Sequence, residues 1–273
     1  MASILTVTCA CADEENECGS RARQIIQQAY PEAQEQQNGQ FLLEEAVIVL
    51  PTSQPHDNDP HVVVCRTWPA HPEKLLVAVP IMRQSATRGY DNEGDLEILV
   101  LDNDSLEVTR RRRIVDLMSD DAIRITKVAF DTARYRVAPE QTAFGLRIST
   151  EGASRVNPYS DTTLRLFLVD RDRLRLILDN LIVEKSGGEW DGVCRGHFSR
   201  LQRTLSMGSS TNHGVADIVV TENSRSDAST VAPDGECRYA DLDSDANGDT
   251  RTLSLRYGGD GYEVPPELKR FVD

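Results

Sequence analysis

Leu164-Arg165-Leu166-Phe167-Leu168-Val169, the turn Asp170-Arg171-Asp172, and then Leu174-Arg175-Leu176 form the stretch from which the fold can be read. Leucine and arginine alternate on both sides of a short, aspartate-rich turn. A period of two places the leucines on one face and the arginines on the other, as in an antiparallel sheet with one wet side. The turn carries the residues that a tight hairpin demands.

The same hairpin pattern recurs on either side. Upstream, Asp95-Leu96-Glu97-Ile98-Leu99-Val100-Leu101 turns at Asn103-Asp104 into Leu106-Glu107-Val108. Downstream, Thr252 to Tyr257 turns at Gly259-Asp260-Gly261 into Tyr262-Glu263-Val264. A strand pair precedes each hairpin: His61–Cys65 leading to Leu75–Pro80, Ile125–Phe130 leading to Phe144–Ser149, and His197–Leu205 leading to Ala216–Val220. The result is a weak internal repeat of roughly 70 residues. The chain therefore reads as mainly β, built from antiparallel repeated β modules that form either a propeller-like array or a large β-sandwich. Ordinary propellers have four or more blades, so three modules leave both architectures open.

Residues 19–29 carry strong helix formers and one apolar stripe, which predicts a short N-terminal amphipathic helix. Residues 32–40 are polar and read as a linker. The expected organisation is a leader remnant over 1–12, helix and linker over 13–40, and a single β-rich domain over 41–273. The leader is uncharged, apolar and ends in Ala10-Cys11-Ala12 before Asp13-Glu14-Glu15, as a secretory signal does. A lipid-anchor site at Cys9 or Cys11 is the competing reading, disfavoured by Thr6 and Thr8 three positions before each cysteine. No later stretch approaches the ~18 consecutive apolar residues of a transmembrane helix.

Removing the leader leaves Cys18, Cys65, Cys194 and Cys237, and an even count in an exported chain reads as disulfides. Pairing Cys18 with Cys65 and Cys194 with Cys237 keeps each bond within one half of the chain. Each closes a loop on the order of 45 residues, worth roughly 3 to 4 kcal/mol in the chain-entropy model. No CxxC spacing points to redox or zinc chemistry. The 273 residues are 39% apolar, enough for a real core, and carry 30 basic against 44 acidic residues, a net charge of −14. That balance argues against nonspecific nucleic-acid or anionic-membrane binding and fits a basic protein partner, a cation or plain solubility.

Asp131-Thr132-Ala133-Arg134-Tyr135-Arg136-Val137-Ala138-Pro139 before Ala143-Phe144-Gly145-Leu146-Arg147, then Ser154-Arg155-Val156-Asn157-Pro158-Tyr159-Ser160, then Gly188-Glu189-Trp190-Asp191 before Cys194, resemble uncharacterised exported proteins of Gram-negative bacteria. The resemblance spans about residues 60 to 270. It implies a periplasmic or outer-surface location and lends no catalytic residue.

Chemistry-bearing clusters are few. Asp243, Asp245, Asn247 and Asp249, around Gly248, have the alternating oxygen donors of a calcium loop, but the twelfth position is Ser254 where a bidentate Glu belongs. A polar hairpin tip is the competing reading, and calcium is the one cofactor that the sequence suggests. His56-Asp57-Asn58-Asp59-Pro60-His61 groups transition-metal ligand types in a proline-punctuated loop, which His71 would join only by folding. Arg110-Arg111-Arg112-Arg113, in a strand, splits its guanidiniums between two faces and reads as a guarded edge. Glu189 and Asp191 flank Trp190 as paired carboxylates do in saccharide chemistry, yet the same triplet makes an ordinary turn, and His197 and His213 are the imidazoles offered to a serine triad whose geometry the sequence does not show. No Gly-x-Ser-x-Gly elbow or His-Glu-x-x-His helix is present.

The sequence therefore leads to a protein of the periplasm or exterior that is an exported, non-catalytic binding protein of the bacterial envelope. An inhibitor or immunity protein for a basic envelope-acting enzyme is its specific form. An envelope saccharide or peptide hydrolase using Glu189, Asp191 and His197 is the alternative, and a structural envelope component is the third.

Overall fold

The computed structural model describes residues 16–51, 59–84, 92–241 and 249–270. A 3-10 turn, Gly19–Arg21, runs into α1, Ala22–Ala29. Ala22, Ile25, Ile26 and Ala29 form its buried stripe while Arg23, Gln24, Gln27 and Gln28 stay exposed. All remaining regular structure among the described residues is strand, apart from a 3-10 turn at Pro266–Leu268.

The first sheet has seven strands: β1 (Gln34–Glu35), β2 (Gln40–Leu43), β3 (Ala46–Val49), β4 (Val64–Thr67), β5 (Lys74–Arg83), β6 (Gly94–Asp102) and β7 (Val108–Ile114). Its order is β1-β2-β3-β5-β6-β7, with β4 also beside β5. β5 is almost continuously apolar because both of its faces are covered. Leu75, Val77, Val79 and Ile81 meet α1, whereas Leu76 and Ala78 face the second sheet. Pro80 sits mid-strand between the span paired with β4, which ends at Ala78, and the span paired with β3, which starts at Met82. A residue without an N–H is tolerated there because no ladder bond is lost on that side.

The second sheet has eight strands: β8 (Ile123–Ala138), β9 (Gln141–Gly152), β10 (Tyr159–Val169), β11 (Leu174–Trp190), β12 (Gly196–Asn212), β13 (Val215–Val231), β14 (Cys237–Asp241) and β15 (Asp249–Leu255). β8 to β14 follow one another as an antiparallel meander, and β15 pairs with β13 in line with β14. Register shifts interrupt β8–β9 and β10–β11. Such bulges increase local twist, and the sheet curls until β8 touches β12 and β13.

The two sheets pack face to face as a sandwich. Leu76, Leu96, Ile98 and Val100 of the first meet Phe130, Phe144, Leu146 and Phe167 of the second, with Trp68 between. A second core fills the curl, where Leu164, Leu166 and Leu168 meet Ile218, Val220 and Leu255. The leucine alternation that opens the sequence argument thus has a physical address, since Leu164, Leu166 and Leu168 face the curl while Phe167 faces the first sheet.

Of the expected modules, β8–β9, β12–β13 and β10–β11 pair as read, and β4–β5 and β6–β7 pair too, with β4 starting at Val64 instead of His61 and β7 running from Val108 to Ile114 instead of Leu106 to Val108. The hairpin expected over residues 252–264 forms only at its tip, where the Gly258 N–H donates to the Gly261 carbonyl at 2.8 Å and the Glu263 N–H to that of Arg256 at 2.9 Å. Tyr257 and Tyr262 make a single bridge across the turn, and β15 is taken by β13 instead. The repeat therefore reflects hairpins, not blades: the first module lies in one sheet, and the other two merge into the second.

The cysteines pair as Cys18–Cys65 and Cys194–Cys237, with Cα atoms 4.8 and 5.5 Å apart. The first bond pins the start of the helical segment to β4, and the second closes the far end of the second sheet. Among the described residues no helix is long and apolar enough to cross a membrane. The leader expected over residues 1–12, with Cys9 and Cys11, lies outside the described residues.

Candidate binding face at the disulfide-closed end of the second sheet

β11, β12, β13 and β14 run on past the core to an end where two turns meet. In the β11–β12 turn, Asp191 accepts backbone N–H groups from Val193, Cys194 and Arg195 at 2.9, 2.8 and 3.0 Å. The hydrogen bonds from Val193 and Cys194 hold its carboxyl below the usual carboxylate range. In the β13–β14 turn, Gly235 adopts φ +83° and donates to the Ala232 carbonyl at 2.8 Å, while Ala232 donates to Glu236 at 2.9 Å. A type I turn closed by a glycine bulge is the common three-residue hairpin connection. The Cys194–Cys237 disulfide joins the two turns, and Ser229 donates its hydroxyl to the Cys194 carbonyl at 2.5 Å. On the outer side, Trp190 donates to the Val156 carbonyl at 2.7 Å and Gly188 to that of Pro158 at 3.1 Å, which adds the β9–β10 loop to the edge of β11.

Residues opposite one another in an antiparallel ladder project to the same side. The register places Trp190, Gly196, Ser229 and Tyr239 in one row across four strands. The next row holds Gly188, Phe198 and Asp227, and a third holds Ser186, Arg200 and Arg225. A Cβ on Gly188 would lie 2.5 Å from the Phe198 ring, and one on Gly196 would lie 2.9 Å from it. The two glycines thus let Phe198 lie down across the strands instead of standing off them. Over this face runs an open groove of about 560 Å³ lined by Pro158, Ser186, Phe198, Arg200, Asp227 and Tyr239.

This end is also where apolar side chains meet solvent. Val193 is 80% exposed, Tyr239 79%, Val156 46% and Val231 45%, and Ile123 at the start of β8 is 43% exposed. Among the described residues, Val115 is the one other large apolar side chain so exposed.

The residues singled out from the sequence fare differently. Glu189 and His197 are cross-strand partners, but Asp191 is committed to the turn, so the three do not form a catalytic set. His213 sits with Gly214 in the two-residue β12–β13 turn, both at positive φ (52° and 76°), as a type I′ hairpin requires. Asp243, Asp245 and Asn247 lie outside the described residues, as do His56, Asp57 and Asn58. Asp249 opens β15 opposite Ser224. His61 bonds Asp59 at 3.1 Å, while the His71 ring packs tilted by 58° against Trp68, with centroids 4.4 Å apart. Among the described residues no three ligand-type side chains gather around a metal position.

The arginine run is a strand as expected, and its alternation does more than guard an edge. Arg110 donates to the Asp170 and Arg171 carbonyls and Arg112 to that of Leu174, tying β7 to the β10–β11 turn. On the other side Arg111 donates to the Ala29 carbonyl at 2.8 Å, and Arg111 and Arg113 lie 3.8 and 3.9 Å from buried Glu97.

Phe198, Arg200, Asp227 and Tyr239 escape sequence reading because their row is set by cross-strand register. The signal that reaches them is the Cys194–Cys237 pairing, which places the ends of β11 to β14 side by side. Compared with protein-family models, with curated proteins and with solved structures, the chain matches none.

Proposed function

We propose that the chain is an exported, non-catalytic binding protein of the bacterial envelope, acting in the periplasm or outside the cell. Its disulfide-closed end meets a protein partner. The observation that carries this reading is the gathering of Val156, Val193, Val231 and Tyr239, all exposed, around two turns stiffened by a disulfide. Interface centres are made of such apolar and aromatic anchors on pre-organised frames, because little freedom is lost on docking. Two disulfides suit an oxidising compartment. The net charge of −14 favours a basic partner, and an inhibitor or immunity protein for a basic envelope-acting enzyme is the specific form supported.

The test is capture of envelope and secreted proteins on the immobilised oxidised chain, in parallel with Val193→Asp. The expected outcome is a basic protein retained stoichiometrically by the unmodified chain, released by salt and absent from Val193→Asp. Equal capture by both chains would remove the tip from the account, and an empty bait would remove the protein partner.

A further inference from the structure

We infer that the groove beside the tip is a binding site for a neutral saccharide, with the Phe198 ring as its stacking floor. This goes beyond the protein-binding tip and, Tyr239 apart, rests on other residues. Glycine inside a strand costs stability and marks places where something must approach the backbone closely. Here Gly188 and Gly196 sit under the ring of Phe198, which turns an aromatic edge into a half-buried platform. A pyranose presents one face of C–H groups that packs flat on such a ring, with hydroxyls pointing outward around its rim.

The surrounding groups suit that rim. Asp227 and Arg200 line the groove, and neither forms an ion pair or side-chain hydrogen bond with a described residue. A carboxylate accepts two hydroxyl protons, and a guanidinium donates to hydroxyl oxygens in a fixed fork. Ser186, whose hydroxyl lies 2.8 Å from that of Ser160, adds a group that both donates and accepts. Of the residues that line the groove one is negative and one positive, which favours a neutral polyhydroxyl ligand. A phosphate would meet Asp227, and a cation would meet Arg200. Tyr239 forms one wall of the groove and Pro158 the other. The volume of about 560 Å³ falls in the range of small-ligand sites. The open top, running across strands spaced about 4.8 Å apart, suits a short run of sugar rings.

The experiment is calorimetric titration of the full oxidised chain with neutral tetrasaccharides of glucose, N-acetylglucosamine and mannose. One series is expected to bind, Phe198→Ala to abolish the heat, Phe198→Trp to retain it, and Asp227→Asn to weaken affinity about tenfold. Asp227→Asn and Arg200→Ala keep the test decisive should Phe198→Ala fail to fold. Absence of heat with every series overturns the inference, as does binding that survives both Asp227→Asn and Arg200→Ala. Linear peptides binding in place of the saccharides, with loss on Phe198→Ala, also overturn it. Val193→Asp, which removes the protein contact, is expected to leave saccharide binding intact, so the two sites stand or fall separately.

Discussion

Asp191 carries the β11–β12 turn through three backbone N–H groups, and that role has a pH signature. Its carboxyl is held below the ordinary value by the N–H groups of Val193 and Cys194. A depressed folded pKa contributes stability above the unfolded value, about pH 4, and that contribution is lost as pH falls through the folded value. Asp191→Asn keeps one acceptor oxygen without the titration. The stability advantage of the unmodified chain over Asp191→Asn is therefore expected to shrink below about pH 4, read from denaturant midpoints across pH. An advantage constant with pH would contradict the role. The sequence allowed this turn beside the catalytic reading of Glu189 and Asp191, but three amides converging on one oxygen are a matter of geometry. Phe198 and Asp227 were illegible for the same reason, since they lie 29 positions apart and meet only through the β12–β13 register.

At the level of elements, β7 is a two-sided clasp. Its alternation was legible, because a strand must send Arg110 and Arg112 one way and Arg111 and Arg113 the other. What each side would find was not. One side finds the carbonyls of the β10–β11 turn, and the other finds Glu97 under α1, which also accepts from Tyr30 Oη at 2.5 Å. Burial and the Glu97 carboxylate push the Tyr30 phenol well above its ordinary range. The double substitution Arg110→Ala, Arg112→Ala is expected to cost about 1 to 2 kcal/mol and to speed amide exchange in β7 and around residues 170–174. Exchange unchanged in both places would show that the sheets are held by the apolar core alone. Hairpins were the most legible elements, since alternation and turn chemistry act locally. The hairpin at 252–264 shows the limit of that logic, because it goes no further than its tip while β15 lies along β13 from Asp249 to Leu255.

Across the whole molecule, curling and a disulfide present one end of a sheet to solvent. The mainly β class and the antiparallel modules follow from residue patterns, but merging two modules into one curled sheet depends on the bulges in β8–β9 and β10–β11. No periodicity announces where those fall. The curl gives β11, β12, β13 and β15 a shared core, while the far ends of β11 to β13, with β14, carry Val193, Val231 and Tyr239 beside the groove. A binding face built this way is stiff, because both turns are tied to each other and to the sheet. The measurement that tests the central claim most directly is hydrogen–deuterium exchange of the chain with and without its captured protein partner. The expected result is slowed exchange confined to residues 191–195 and 229–239, at the end of the second sheet. Slowing confined to α1 and the first sheet, with the closed end unchanged, would contradict it.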